Sequence, residues 1–216
     1  MHKSVNNLNL IQKLLKEKAK EIKMPKIVAV SKTFPISDIQ PLLEYGHIDF
    51  GENKIQEAIE KWSSVRENYQ NIKLHMIGKL QTNKVKFLLP LFDYFHSLDN
   101  LKLAKKISEE ETKKNKKLKI FIQVNIGAED QKSGINKNEI DSLVNFCRNL
   151  ELDVIGLMCI PPFDTDPDRY FQEMSMLNKK FHFNDLSMGM SSDYLKAIKK
   201  NATYLRIGSS IFGQRS

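Results

Sequence analysis

Lys32 follows four apolar residues in "KIVAVSKTFP" (26–35) and stands where a buried strand would end. A lysine there is either a solvated strand cap or an amine that burial makes nucleophilic by lowering its pKa. Two other stretches bear on the choice. "SMGMSSDYLKAI" (187–198) and "RIGSSIFG" (206–213) each set glycine and serine between an apolar run and a following helix or turn. Such turns present backbone N–H groups, glycine lets the backbone approach a ligand, and serine hydroxyls add donors, so a phosphate suits them. Ser191, Gly208 and Ser209 are the candidate anion ligands. Ser191 has a second reading, as the N-cap of a helix with Asp193 in its first turn. Arg206 lies on the last apolar run and pairs either with a neighbouring acid or with a ligand acceptor.

The elements that must position these residues recur along the chain. Short apolar runs occur at 26–31, 47–50, 73–77, 93–97, 119–126, 153–160, 185–189 and 203–208. Amphipathic stretches separate them, near 36–45, 53–66, 80–89, 99–115, 137–150, 167–181 and 192–200. A further one over 5–22 puts Leu8, Ile11, Leu14 and Leu15 on one face. Nearly all-apolar strands are those of a parallel sheet covered by helices on both faces. Eight strand–helix units predict a single-domain α/β fold, a (β/α)8 barrel over 1–216 with an extra N-terminal helix. An open doubly wound sheet is the runner-up, but its usual glycine fingerprint is missing from the first turn, "SKTFP".

In a barrel, ligand groups collect at the C-terminal strand ends, and the loops after strands 7 and 8 form the usual phosphate site. The two Gly/Ser turns fall there. Strands 1 and 8 are neighbours in a closed barrel, so Lys32 lies beside them. A lysine, a phosphate site and an arginine facing the ring together suggest pyridoxal 5'-phosphate held as a Schiff base.

Composition narrows the class. The net charge of +8 invites a polyanion, yet only five of 34 basic residues are arginine, the residue with the fork that reads grooves and clamps phosphates. A general drift towards Lys, Asn and Ile accounts for the charge, and no nucleic-acid partner is expected. Cys147 and Cys159 read as core thiols of a reducing compartment, with no zinc spacing. The N-terminus lacks a signal-peptide core and no run is long enough to span a membrane, so a cytoplasmic protein is expected.

Several segments closely resemble the pyridoxal phosphate homeostasis proteins, the PROSC or YggS-type group. They are "VAVSKTFP", "GENKIQEA", "HMIGKLQTNK", "HSLD", "QVNIGAEDQKSG", "GLMCIPP", "LSMGMSSD" and "RIGSSIFG", in this order across 28–213. The resemblance implies a barrel like the larger domain of alanine racemase. It implies that Lys32 carries the cofactor, that Ser191, Gly208 and Ser209 hold its phosphate, that Arg206 faces the pyridine nitrogen, and that Asn53 lines the pocket. Gly127, Leu195 and Asn201 depart from the family, which commonly has serine, glutamate and glycine near those places.

The function this implies is cofactor homeostasis without efficient catalysis, by a monomer that holds the cofactor or passes it to apoenzymes. Alanine racemase needs a second domain that contributes a tyrosine, and the barrel is expected to consume this whole chain. A racemase or decarboxylase, or a basic RNA- or partner-binding protein with a vestigial pocket, are the alternatives. Other residues have plainer readings. His75 and His96 read as hydrogen-bonded barrel residues, Lys79 and Lys84 as solvated positions, and Met188 and Met190 as core. Glu52 and Glu57 show no paired-carboxylate logic.

Overall fold

Ile27, Val28, Ala29 and Val30 are all buried, and successive side chains take opposite faces of the sheet. Ile27 and Ala29 join the large core between sheet and helices. Val28 joins Tyr94, Phe121, Met158 and Tyr204 inside the barrel. This two-sided burial makes the strands read as continuous apolar runs. The computed structural model describes residues 2–18, 24–129, 131 and 133–214.

The strands are β1 (Lys26–Val30), β2 (Asp49–Glu52), β3 (Lys73–Met76), β4 (Tyr94–Leu98), β5 (Lys119–Val124), β6 (Val154–Cys159), β7 (Asp185–Ser187) and β8 (Tyr204–Ile207). They close in sequence order into one barrel. The closing pair is parallel, with Val28 opposite Arg206. The (β/α)8 expectation therefore holds, and the open sheet is excluded.

Helix α1 (Lys3–Lys18) precedes the barrel. Each strand is then followed by a helix: α2 (Ile36–Glu44), α3 (Ile55–Asn68), α4 (Val85–Leu91), α5 (Leu101–Lys114), α6 (Ile140–Asn149), α7 (Asp168–Lys180), α8 (Tyr194–Ile198) and α9 (Ser209–Phe212). The expected continuation of α1 to Ile22 lies outside the described residues, as do Asp130 and Lys132 of the "QVNIGAEDQKSG" stretch. The helix expected from 80 begins as a 3-10 turn, Thr82–Lys84, and α9 was not anticipated. α1 packs on α2 and α9, and Asn7 Nδ2 donates to the Ile211 carbonyl at 2.9 Å.

One glycine fixes a strand spacing. A Cβ on Gly156 would come within 1.8 Å of the Asp185 carbonyl oxygen, where β6 meets β7. The obstacle is backbone, so a side chain there must push the strands apart. Gly156→Ala is expected to cost about 1–3 kcal/mol or more by overpacking. Urea unfolding checks this, and an unchanged midpoint would contradict it.

Candidate functional site

The C-terminal strand ends surround a cavity of about 810 Å3. That is within the roughly 300–1,000 Å3 of small-molecule sites. Lys32, Asn53, Ser191, Arg206, Gly208 and Ser209 all line it, together with Gln123 and Asn125. The closed barrel does this: residues 150 or more positions apart in sequence become neighbours once β8 pairs with β1.

Lys32 sits in a tight turn that is clamped on both sides. Ser31 N donates to the Gly51 carbonyl at 3.0 Å and Phe34 N to the Ser31 carbonyl at 3.1 Å. Thr33 has φ 69°, a left-handed conformation costly for a β-branched residue. Its N–H donates to Glu57 Oε1 at 2.6 Å. Lys61 of α3 ties the clamp together. Its Nζ donates to the Ser31 carbonyl (3.0 Å), Glu52 Oε1 (3.0 Å) and Glu57 Oε1 (3.1 Å). Glu52 Oε1 also accepts from Ser31 Oγ at 2.7 Å and from the Trp62 indole at 3.0 Å. Burial raises the Glu57 carboxyl, but the Thr33 N–H and Lys61 outweigh it and hold it below its ordinary range.

The turns after β7 and β8 meet across Ser191. Its Oγ accepts from Gly208 N at 3.3 Å and from Ser210 N at 3.2 Å. Ser191 therefore does not cap α8. Asp193 occupies that N-cap position, and its Oδ1 accepts from Met190 N at 2.6 Å. The N-cap reading of Ser191 is thus corrected: its hydroxyl joins two turns at the cavity wall. Phe34 stacks on Phe212, ring centroids 4.9 Å apart, and so joins the lysine turn to the β8 turn.

Arg206 is 4% exposed and points into the barrel. Nη1 donates to Ser187 Oγ at 2.7 Å and Nη2 to the Cys159 carbonyl at 2.8 Å. Among the described residues no acid pairs with it, which replaces the salt-bridge reading. Burial lowers its pKa, and the Asp193 charge acts in the other direction. Two of five N–H groups are used by these bonds, which leaves donors for a ligand.

His75 and His96 are fully buried barrel residues, as expected, and hydrogen-bonded to each other at 3.0 Å. Met188 is core, whereas Met190 lines the cavity, a correction to the core reading. Lys79 is exposed and also lines it. Cys147 and Cys159 are buried, and burial pushes both thiols up to about 12. Sequence reasoning missed Lys61, Ser187 and Gln123. The spacing of Glu57 and Lys61, one helical turn, was the visible signal for the first.

The departing residues are accommodated. A Cβ on Gly127 would lie 2.4 Å from Pro162 Cγ, so the local packing calls for glycine. Asn201 takes φ 65°, the left-handed conformation a glycine would supply. Leu195 packs against the helix-side core. Among the described residues, no helix is long and apolar enough to cross a membrane, and no cluster of His, Cys, Asp and Glu could hold a metal ion.

Residues 5–216 match the family described as alanine racemase, N-terminal domain. A protein of Pasteurella multocida named pyridoxal phosphate homeostasis protein is 37% identical, over 97% of this chain and 96% of its own length. PipY of Synechococcus elongatus, solved without pyridoxal phosphate, superposes with a TM-score of 0.86 at 27% identity, covering 98% of this chain and 100% of its own. The same protein with pyridoxal phosphate bound gives a TM-score of 0.84 at 26% identity, covering 97% of this chain and 100% of its own.

Proposed function

Starting from a chain that belongs to the pyridoxal phosphate homeostasis family, we propose that its cavity holds pyridoxal 5'-phosphate as a Schiff base on Lys32, to store the cofactor or pass it on rather than to turn over substrate. When bound, this cofactor supplies an aldehyde that condenses reversibly with a primary amine, with loss of water.

The observation that carries the reading is the meeting of all six candidate residues in one cavity of suitable size. The donor set fits the cofactor. Lys32 offers the amine. The Ser191 oxygen accepts from the Gly208 and Ser210 N–H groups, which leaves its hydroxyl proton to donate to a phosphate. Ser209 also lines the cavity wall. A Cβ on Gly208 would meet only Val30, at an ordinary 3.4 Å, so the protein's own packing does not require glycine there and an approaching ligand would. Asn53 Oδ1 is buried without a partner among the described residues, and a donor on a bound ligand would satisfy it. Arg206 keeps its protons, so it can donate to the pyridine nitrogen but not protonate it, and the ring stays a weak electron sink.

The same cavity supports the carrier role. Among the described residues, no tyrosine, histidine, cysteine or carboxylate lines it, and the second lysine there, Lys79, is exposed. A racemase or decarboxylase needs a second proton-transfer group opposite the lysine. The protein is proposed to act as a cytoplasmic monomer on one barrel domain, with apoenzymes as recipients and no nucleic-acid or membrane partner.

The test is turnover of amino acids by protein saturated with the cofactor. Cofactor binding with no turnover above a Lys32→Ala control is the expected result. Robust Lys32-dependent racemisation or decarboxylation would sink the carrier reading. Salt-dependent RNA binding that ignores cofactor would favour the nucleic-acid alternative.

Arg206 and Ser209 should divide the work. Arg206→Gln is expected to move the pH midpoint of the visible band more than it weakens cofactor retention. Ser209→Ala should weaken retention by roughly the worth of one hydrogen bond to a charged group, about 1.5–3 kcal/mol. Equal cofactor loss from both variants in equilibrium dialysis would contradict the division.

A further inference from the structure

The barrel interior holds a line of polar side chains that the cavity does not contain. Asp49 stands at the start of β2, His75 on β3, His96 on β4 and Ser187 on β7, all facing inward. His75 Nε2 lies 3.0 Å from Asp49 Oδ1, and His75 Nδ1 lies 3.0 Å from His96 Nε2. His96 Nδ1 lies 2.9 Å from Ser187 Oγ, which accepts from Arg206 Nη1 at 2.7 Å. Four consecutive hydrogen bonds thus lead from Arg206, on the cavity wall, to Asp49 at the opposite mouth of the barrel.

Counting protons fixes the direction. Asp49 is ionised: burial would raise its carboxyl, but the His75 hydrogen bond and the Lys26 charge help to hold it below its ordinary range. His75 must therefore donate from Nε2. If His75 is neutral, its Nδ1 accepts, so His96 donates from Nε2. His96 Nδ1 then accepts the Ser187 hydroxyl proton, and the Ser187 oxygen accepts from Arg206. Every donor has one acceptor and none is left over. If His75 were an imidazolium, the two middle bonds would reverse. Ser187 Oγ would then accept from both His96 and Arg206, and its own proton would have no acceptor in the chain.

The surroundings favour the neutral arrangement. Burial lowers the pKa of His75, against the pull of Asp49 and Asp93 and with the help of Lys26. Burial also takes His96 well below its ordinary value, aided by the charge of Arg206. The rings are fixed by packing. His75 stacks on Tyr94 at 4.1 Å, and His96 packs on Phe121 at 4.4 Å. Lys26 Nζ donates to the Tyr94 hydroxyl at 3.3 Å and lies over the Tyr204 ring, close to the Asp49 end.

We propose that Asp49, His75, His96 and Ser187 are positioning residues for Arg206, forming a one-directional relay of neutral imidazoles that aims the Ser187 oxygen at its guanidinium and fixes how it meets the cofactor ring. The relay balances a buried cation with oriented dipoles and a distant carboxylate in place of an adjacent one. A carboxylate beside Arg206 would neutralise it and occupy its fork. Acceptance by Ser187 and the Cys159 carbonyl leaves the other N–H groups for the ligand. The part that concerns the cofactor rests on the reading of the cavity given above; the relay itself does not.

Two measurements separate these. In the cofactor-free protein, imidazole 15N–1H correlation spectra should show both His75 and His96 as neutral Nε2–H tautomers. They should remain so near pH 6.5, where an ordinary histidine is about half protonated. An Nδ1–H tautomer or a protonated ring at either residue would overturn the relay. In cofactor-loaded protein, Ser187→Ala and Asp49→Ala should each move the pH midpoint of the visible band in the same direction as Arg206→Gln, by less. His182→Ala, an exposed position, should leave it in place. A midpoint that moves in Arg206→Gln but in neither relay variant would overturn the positioning role. Should Asp49→Ala fail to fold, Ser187→Ala decides alone. If wild-type protein forms no band, the cofactor reading fails, and the tautomers still decide the relay.

Discussion

Lys32→Ala is expected to abolish the visible band formed with pyridoxal phosphate and to weaken cofactor retention at least tenfold, about 1.4 kcal/mol. The Lys32 amine can make a reversible covalent bond to an aldehyde while the Gly/Ser turns hold a phosphate. Lys79 also lines the cavity, but it is exposed and free of the clamp that fixes residues 31–33. Removing the lysine should leave the fold in place. Ser31 and Thr33, not Lys32, are the attachment points of the clamp, through the Ser31 carbonyl to Lys61 and the Thr33 N–H to Glu57. The variant should therefore unfold close to the wild-type midpoint and still bind the phosphate end of the cofactor weakly. A visible band that survives the substitution unchanged would show that another amine makes the bond.

The second large effect is expected from Lys61→Met. The Lys61 and Glu52 side chains are 8% and 0% exposed, and their ion pair spans 3.0 Å. Deleting one partner of a buried pair leaves a desolvated charge, which costs about 3–5 kcal/mol. Glu52 is poorly placed to absorb the loss, because its Oε2 already has no partner among the described residues. The Ser31 hydroxyl and Trp62 indole would remain as its donors among the described residues. The lysine turn loses its brace as well, since Lys61 holds the Ser31 carbonyl and the Glu57 carboxylate that caps Thr33. Lys61→Met should therefore be strongly destabilised in urea and slow to react with the cofactor. Lys61→Met with Glu52→Gln should regain part of the stability by neutralising the stranded charge. A single variant that loses less than about 1 kcal/mol, the range of an exposed pair, would show that the bridge is not a buried one.

The barrel was legible because both faces of each strand are buried, which yields short apolar runs at regular spacing. The one strand placed two residues early shows the limit. "HIDF" reads as the run, but His47 lies in the loop between α2 and β2, its N–H bonded to the Leu42 carbonyl at 2.9 Å. The strand instead extends to Glu52, a charged residue buried by contacts from α3. Charge ordinarily signals surface, and only the three-dimensional meeting with Lys61 and Trp62 reverses that. The site residues were legible as strand ends, because residues on either side of a strand–helix junction keep that position in any barrel. Their partners were not. Lys61 is one of many lysines on amphipathic helices, and its role depends on which strand α3 covers. His75, His96 and Ser187 were visible as strand residues. Their contact depends on the stagger of β3, β4 and β7 around the closed barrel, a property no single segment carries. Arg206 was identified by its rarity, but its two acceptors come from Ser187, on the neighbouring β7, and the carbonyl end of β6.

The covalent bond to Lys32 is the claim on which the functional reading depends, and it can be read directly. Protein loaded with pyridoxal phosphate is reduced with borohydride, digested, and its peptides are mapped by mass spectrometry. The predicted result is one reduced pyridoxyl phosphate group, on the Lys32 peptide, in near-stoichiometric yield, with the other lysines unmodified. A modification scattered over surface lysines, with Lys32 untouched, would contradict the account.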